Sequence, residues 1–177
     1  TVLNTAPVVD SVSFDGSTYY TNDVITATSV LSDVDSAQIS DLTVTYVWHV
    51  LDASNGGTDT EVQSGSDNTL AGSLFDKDDE VYVVVTPNDG VDDGSFVIST
   101  AVTIENSEPT DLTASVTSSD MFYNDSTLTC SATSSDIDPE DAALTYDYSW
   151  STGDSGADLV LTGTMMPGSD VTCTATA

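Results

Sequence analysis

Positive charge is almost missing from this chain of 177 residues: Lys77 is its one base beside thirty carboxylates, arginine does not occur, and the net charge is -29. Without cations the chain has nothing to neutralise phosphates or an anionic membrane surface, so nucleic acid and lipid headgroups are excluded as partners. Histidine is reduced to His49, and cysteine to Cys130 and Cys173. Zinc needs Cys and His clusters that such a sequence cannot supply. A serine or cysteine triad would have to be built on one histidine, which alternation places on an outward strand face without a nucleophile beside it. A carboxylate pair for glycoside hydrolysis has the residue types but no mark in the sequence. No apolar run approaches membrane-spanning length. Initiator Met and signal peptide are also missing, and the chain reads as a stretch of something longer.

What is present suits a folded all-β protein. The hydrophobic fraction is 38%, enough for a core despite the charge. About fifty residues are Ser or Thr, helix-period stretches are rare, and turn residues recur every ten or so positions, which is the pattern of many short strands. In LTVTYVWHV, Leu42, Val44, Tyr46, Trp48 and Val50 fall on one face and Thr43, Thr45 and His49 on the other. Leu144, Tyr146, Tyr148 and Trp150 repeat this against Thr145, Asp147 and Ser149. Such alternation puts one sheet face in the core and the other in water. Further strands are expected at 8–14, 24–30, 68–74, 81–86 and 96–104. The pairs GG at 56–57 and DGVDDG at 89–94 are turns, since acids flank them and no lysine follows to make a phosphate cradle.

The chain also repeats itself. NTAP at 4–7 aligns with NSEP at 106–109, TND at 21–23 with YND at 123–125, SDVDSAQISDLTVTYVW at 32–48 with SDIDPEDAALTYDYSW at 135–150, and Trp48 with Trp150. A period near one hundred residues makes each copy a domain. The expected organisation is 1–4 as the end of a preceding repeat or linker, 5–105 as one domain and 106–177 as a second. Six or seven strands in each hundred residues suit a β-sandwich.

NTAPVVDSVSF, TNDVITA, the SDVDSAQISDLTVTYVW stretch and DDEVYVVVTPNDGVDDGS together resemble the tandem immunoglobulin-like repeats of large prokaryotic surface proteins and adhesins, relatives of cadherin-like, fibronectin III-like and polycystic-kidney-disease-type domains. The resemblance implies two tandem immunoglobulin-like antiparallel β-sandwiches in a secreted, extended array. The order Cys130, Trp150, Cys173 resembles the immunoglobulin arrangement, in which a disulfide beside the tryptophan links strands B and F. Two buried free thiols are the alternative. Ala27 and Val83 hold the matching positions of the first copy, and Val81 and Val171 stand where a corner tyrosine would be. A bridge implies an oxidising, extracytoplasmic setting.

The resemblance also gives the acids a place. Asp136, Asp138, Glu140 and Asp141 fall in the loop between strands B and C of the second copy, and Asp76, Asp78 and Asp79 fall between strands E and F of the first. Glu105, Asn106 and Glu108 run between them. Cadherin-type junctions are stiffened by calcium, which takes six to eight oxygens, and these residues are the first candidate ligand set. Asp33, Asp35 and Asp41, with Asn88, Asp89, Asp92 and Asp93 nearby, are the second. Neither has EF-hand spacing, and the plain alternative is that the acids cap turns and face water. Asn124-Asp125-Ser126 is a glycosylation sequon, and surface Ser and Thr can carry O-linked sugar.

Aligning Cys173 with Val83 leaves the second copy without a counterpart of residues 88–104, its last strand, while TVLN at 1–4 aligns with TIEN at 103–106. A strand from the continuing polypeptide is expected to fill that groove, with donation by a neighbouring subunit as the alternative. The expected function is a non-enzymatic structural segment of an extracellular or cell-surface fibre, stalk or adhesin. Its expected partners are other copies of the repeat and surface glycans. An ancillary polysaccharide-binding or spacer module of a secreted enzyme is the second expectation.

Overall fold

The computed structural model describes residues 3–35, 37–138, 143–163 and 165–177. It is all-β and divides into two compact units, Thr1–Ser107 and Glu108–Ala177. The strands of unit 1 are β1 (Val8–Phe14), β2 (Tyr19–Tyr20), β3 (Ile25–Ser32), β4 (Thr43–Asp52), β5 (Thr58–Gly65), β6 (Thr69–Leu70), β7 (Glu80–Asn88), β8 (Val97–Ile98) and β9 (Val102–Glu105). Those of unit 2 are β10 (Thr110–Ser118), β11 (Thr127–Ser135), β12 (Asp147–Trp150), β13 (Asp158–Val160) and β14 (Cys173–Thr176).

In unit 1 one sheet runs β1-β3-β6 and the other β2-β9-β7-β4-β5, with β8 also on β7. Pairing is antiparallel except between β2 and β9, where Tyr19 lies beside Ile104. The alternating residues do what their period demands. Trp48, Val81, Val83 and Val85 from the larger sheet and Ile25, Ala27 and Leu70 from the smaller are fully buried in one cluster, so the core lies between the two sheets. Trp48 stacks on Phe14 of the opposite layer with ring centroids 5.8 Å apart. Its indole N–H donates to the Asp67 carbonyl at 3.4 Å, which satisfies the one polar atom this side chain takes into the core.

Two strands of unit 1 lie outside the alternation pattern. β5, TDTEVQSG, pairs only with β4 and is mostly exposed. An edge strand with water on most sides needs no apolar period. β2 is two residues long. The segment expected at 68–74 is a strand only at Thr69–Leu70, after which Gly72–Leu74 forms a 3-10 turn. There, a Cβ on Gly72 would overlap the backbone of Asn22.

Unit 2 is built from sheets β10-β11-β13 and β12-β14, all antiparallel. Its core is smaller, with Leu128, Cys130, Trp150 and Leu159 buried and Val116, Tyr148, Leu161 and Val171 packed around them. The Trp150 indole donates to the Gly156 carbonyl at 2.9 Å. Cys130 of β11 and Cys173 of β14 form a disulfide that ties one sheet to the other. Ala27 and Val83, fully buried in unit 1, give that unit no such tie.

The bridge closes a loop of sequence separation 43, and in the chain-entropy model this contributes about 4 kcal/mol. That is a large share of the stability of a domain this small. Reduction is expected to lower the unfolding midpoint of unit 2 and to leave unit 1 unchanged. Single-tryptophan variants retaining Trp48 or Trp150, unfolded in urea with and without reductant, check this: equal losses at both reporters contradict it.

Candidate functional site

The acids of unit 1 collect at the end of the sheets where β3 runs into β4 and β7 leaves the core. Asp33 and Asp35 follow β3 directly, and the Asp35 N–H donates to Asp33 Oδ1 at 2.7 Å, an Asx turn. Asp35 Oδ2 accepts the Thr5 N–H at 2.8 Å. After β7, Asp89 is only 1% exposed. Its Oδ1 accepts the N–H groups of Val91 and Asp92, each at 2.8 Å, and its Oδ2 accepts the Asn4 amide at 3.0 Å. The same amide donates to Asp92 Oδ2 at 2.9 Å. Asn88 holds the loop by donating to Asp93 Oδ1 at 2.8 Å and accepting the Gly90 N–H at 2.7 Å. A Cβ on Gly94 would overlap the Pro7 carbonyl, so glycine is what lets this loop lie against the segment entering β1.

Two neighbouring residues, Asn4 and Thr5, thus draw both acid loops together. Sequence reading treats them as linker, and their one signal is that NTAP recurs as NSEP. Asp41 stands on the exposed 3-10 turn Ile39–Asp41, where its carboxylate accepts the Ser40 hydroxyl. Among the described residues no group of three or more His, Cys, Asp or Glu side chains is arranged to hold a metal ion. The donors at this end are nonetheless all hard oxygens, and Asp33 Oδ2 is buried with no hydrogen-bond partner.

The remaining candidates sit elsewhere. Asp79, 5% exposed, spends its carboxylate on backbone: Oδ1 accepts the Ala53 N–H and Oδ2 the Asp76 N–H, each at 2.9 Å. Asp78 has φ +68° and donates its N–H to the Ile104 carbonyl at 2.9 Å. Glu105 and Asn106 are exposed, and the Asn106 amide donates to the Ser107 carbonyl at 2.7 Å. In unit 2 the Asp138 N–H donates to Asp136 Oδ1 at 3.0 Å, and Asp138 is 2% exposed. Glu140 and Asp141 lie outside the described residues. The Asn124 amide of the sequon donates to the Met165 carbonyl at 2.5 Å, and Ser126 is buried with its hydroxyl on the Asp120 carboxylate.

His49 stands on the outer face of β4, as alternation requires, within a network that sequence reading misses. Asp59 Oδ1 lies 2.9 Å from His49 Nδ1, Asp59 Oδ2 accepts the Tyr82 hydroxyl at 2.8 Å, and the His49 and Tyr82 rings stack at 4.7 Å. The Tyr82 hydroxyl, then His49, hold the Asp59 carboxyl below its ordinary value, while burial and then Asp59 push the Tyr82 phenol up. Tyr19 is pushed up to about 12 by burial and by its bond to Asp15. Comparison with family models, curated proteins and solved structures finds no match for the chain.

The Asp92 backbone N–H, followed by the Asn4 amide, lowers the Asp89 pKa. A folded value below the unfolded one gives stability that is present above the unfolded carboxylate range and is lost as pH falls through the folded pKa. Thermal melts followed by circular dichroism are therefore expected to show a steep loss below about pH 4. Asp89→Asn is expected to lower the melting temperature at neutral pH and to flatten that acid slope. A variant slope as steep as the parent's contradicts the assignment.

Proposed function

We propose that this chain is a non-enzymatic structural segment of an extracellular fibre, stalk or adhesin, made of tandem immunoglobulin-like β-sandwich repeats. The observation that carries this reading is that both units are registered around their tryptophan in the same way. Trp48 of β4 pairs with Val83 of β7, and Trp150 of β12 pairs with Cys173 of β14. Ala27 pairs with Phe14, and Cys130 pairs with Val116. Each tryptophan strand is preceded by the same Asx turn, at Asp33–Asp35 and at Asp136–Asp138. A module used twice with its core register kept serves as a spacer: the sheets carry load along their strands, and repetition sets length. The disulfide supports an oxidising compartment. A net charge of -29 keeps such arrays apart from one another and soluble.

Calcium fits this reading at the acid end of unit 1. Asp33 Oδ2, the buried oxygen without a hydrogen-bond partner, would be its anchor, with Asp35, Asp89 and Asp92 as the surrounding charge. Bound there, the ion would neutralise carboxylates that otherwise repel one another. It would also tie the Asp33–Asp35 turn to the loop that follows β7.

Antibodies against unit 1, imaged by electron microscopy on the cells that make the protein, test the structural role. Labelled fibres or stalks at the surface are expected; cytoplasmic label, or a parent polypeptide carrying a hydrolase domain, overturns it. For calcium, a tenfold excess over the dissociation constant stabilises a folded state by about 1.4 kcal/mol. Millimolar calcium added to chelator-treated protein is expected to raise the melting temperature of the parent but not of Asp33→Asn. An equal rise in both removes Asp33 as the anchor.

A further inference from the structure

The two units differ at the turn that leads into β7 or β14. In unit 1 that turn is sealed by β9. Asp78 N–H donates to the Ile104 carbonyl and Ile104 N–H donates to the Asp79 carbonyl, both at 2.9 Å. Tyr19 pairs alongside Ile104, whose side chain is fully buried in the cluster that holds Ile25, Phe75 and Val81.

Unit 2 builds the same turn. Ser169 N–H donates to the Met166 carbonyl at 3.0 Å, as Asp79 N–H does to Asp76 at 3.2 Å, and Gly168 at φ +91° takes the left-handed position of Asp78 at +68°. Leu128 and Val171 hold the places of Ile25 and Val81. Among the described residues, however, β14 pairs with β12 alone, and where Ile104 would sit there is a cavity of about 410 Å³. Val116, Leu128, Leu161 and Val171 form its floor, and Phe122 and Met166, 61% and 76% exposed, stand at its mouth.

We propose that this cavity is a strand-acceptor site and that its occupant is the segment Thr1–Asn4 of a second copy of this chain. The proposal rests on the repeat reading above and deepens it by supplying the contact through which copies join. Thr1-Val2-Leu3-Asn4 matches Thr103-Ile104-Glu105-Asn106, the strand that seals unit 1, so Val2 takes the place of Ile104. Its backbone would meet Gly168 N–H and Ser169 C=O as Ile104 meets Asp78 and Asp79. The donor has a fixed base, because Asn4 is bonded to Asp89 and Asp92 and Thr5 to Asp35, while Leu3 just before them is 80% exposed.

Charge selects the same pairing. In a chain of net charge -29, neither the cavity lining nor the TVLN segment carries an ionisable side chain. Acid-bearing segments are repelled and this one is not. Added strands bind through main-chain hydrogen bonds and pockets for alternate side chains. A contact that joins one end of a copy to the other end of the next does not close on itself, so it builds filaments.

Sedimentation velocity on the full chain across a concentration series tests the proposal. Head-to-tail oligomers are expected to grow with concentration, and to grow further as salt rises from about 0.1 M to about 1 M, because salt screens the repulsion between acidic copies. Val2→Asp on the donor and Met166→Asp on the acceptor rim are each expected to abolish assembly, with circular dichroism spectra unchanged. A synthetic Ala101–Asn106 peptide, AVTIEN, is expected to bind one per chain and cap the oligomers, and the same peptide with Ile104→Asp is not. Oligomers that Val2→Asp leaves intact overturn the proposal. A chain that stays monomeric while AVTIEN binds also overturns it, since the groove then takes its strand from another source, and the repeat reading stands. A monomeric chain that ignores AVTIEN overturns the site itself, again without touching the surface labelling that tests the structural role.

Discussion

Thirty carboxylates with a single lysine among them leave the fold one internal way to manage its charge: each acid that approaches the core must be met by an N–H of the protein itself. The backbone supplies most of these donors. Asp89 takes two main-chain N–H groups, Asp79 takes two, and Asp35, Asp33, Asp52 and Asp67 take at least one each. Hydrogen bonds to an ionised acceptor are among the stronger ones. The chain therefore converts what looks like self-repulsion into the fastening of its turns.

This constraint decides where the strands begin and end. An aspartate that caps a turn stops one strand and aims the next, so the run of acids and the alternating apolar stretch after it are two parts of one device. Asp33 and Asp35 turn the chain from β3 into β4, which then carries Tyr46, Trp48 and Val50 into the core. Acids outside such turns, such as Asp41 on its exposed 3-10 turn, are left to water. The same logic explains the buried Asp89. Desolvation disfavours its charge, but two N–H groups and the Asn4 amide outweigh that and hold its pKa down.

The parts of this structure that sequence reading reaches are those with a period. β1, β4 and β7 follow from alternation, and the tryptophans mark the cores because no other residue interrupts a polar background so sharply. β5 escapes because an edge strand wetted on most sides has no apolar face, although Asn55-Gly56-Gly57 before it is a hairpin signal that asks for a returning strand. Asn4 escapes because a single amide bridging Asp89 and Asp92 has no pattern in one dimension. The unit 2 cavity escapes for the same reason: Val116, Leu128 and Val171 are far apart in sequence, and only the closed sheets bring them to one floor. Of the acids, those at 33, 35, 89 and 92 gather at one end of unit 1, while those at 76, 78 and 79 belong to a turn fastened to β9.

The disulfide has a consequence for a chain under tension. Once unit 1 gives way, nearly all of its hundred-odd residues can pay out as slack. In unit 2 the 43-residue span between Cys130 and Cys173 stays closed by a covalent bond. At 3.3 to 3.6 Å per extended residue it withholds about 150 Å of contour length. Pulled from its ends, the pair of units therefore acts as a long shock absorber in series with a short tether, and the redox state of two sulfur atoms sets how far the tether can run.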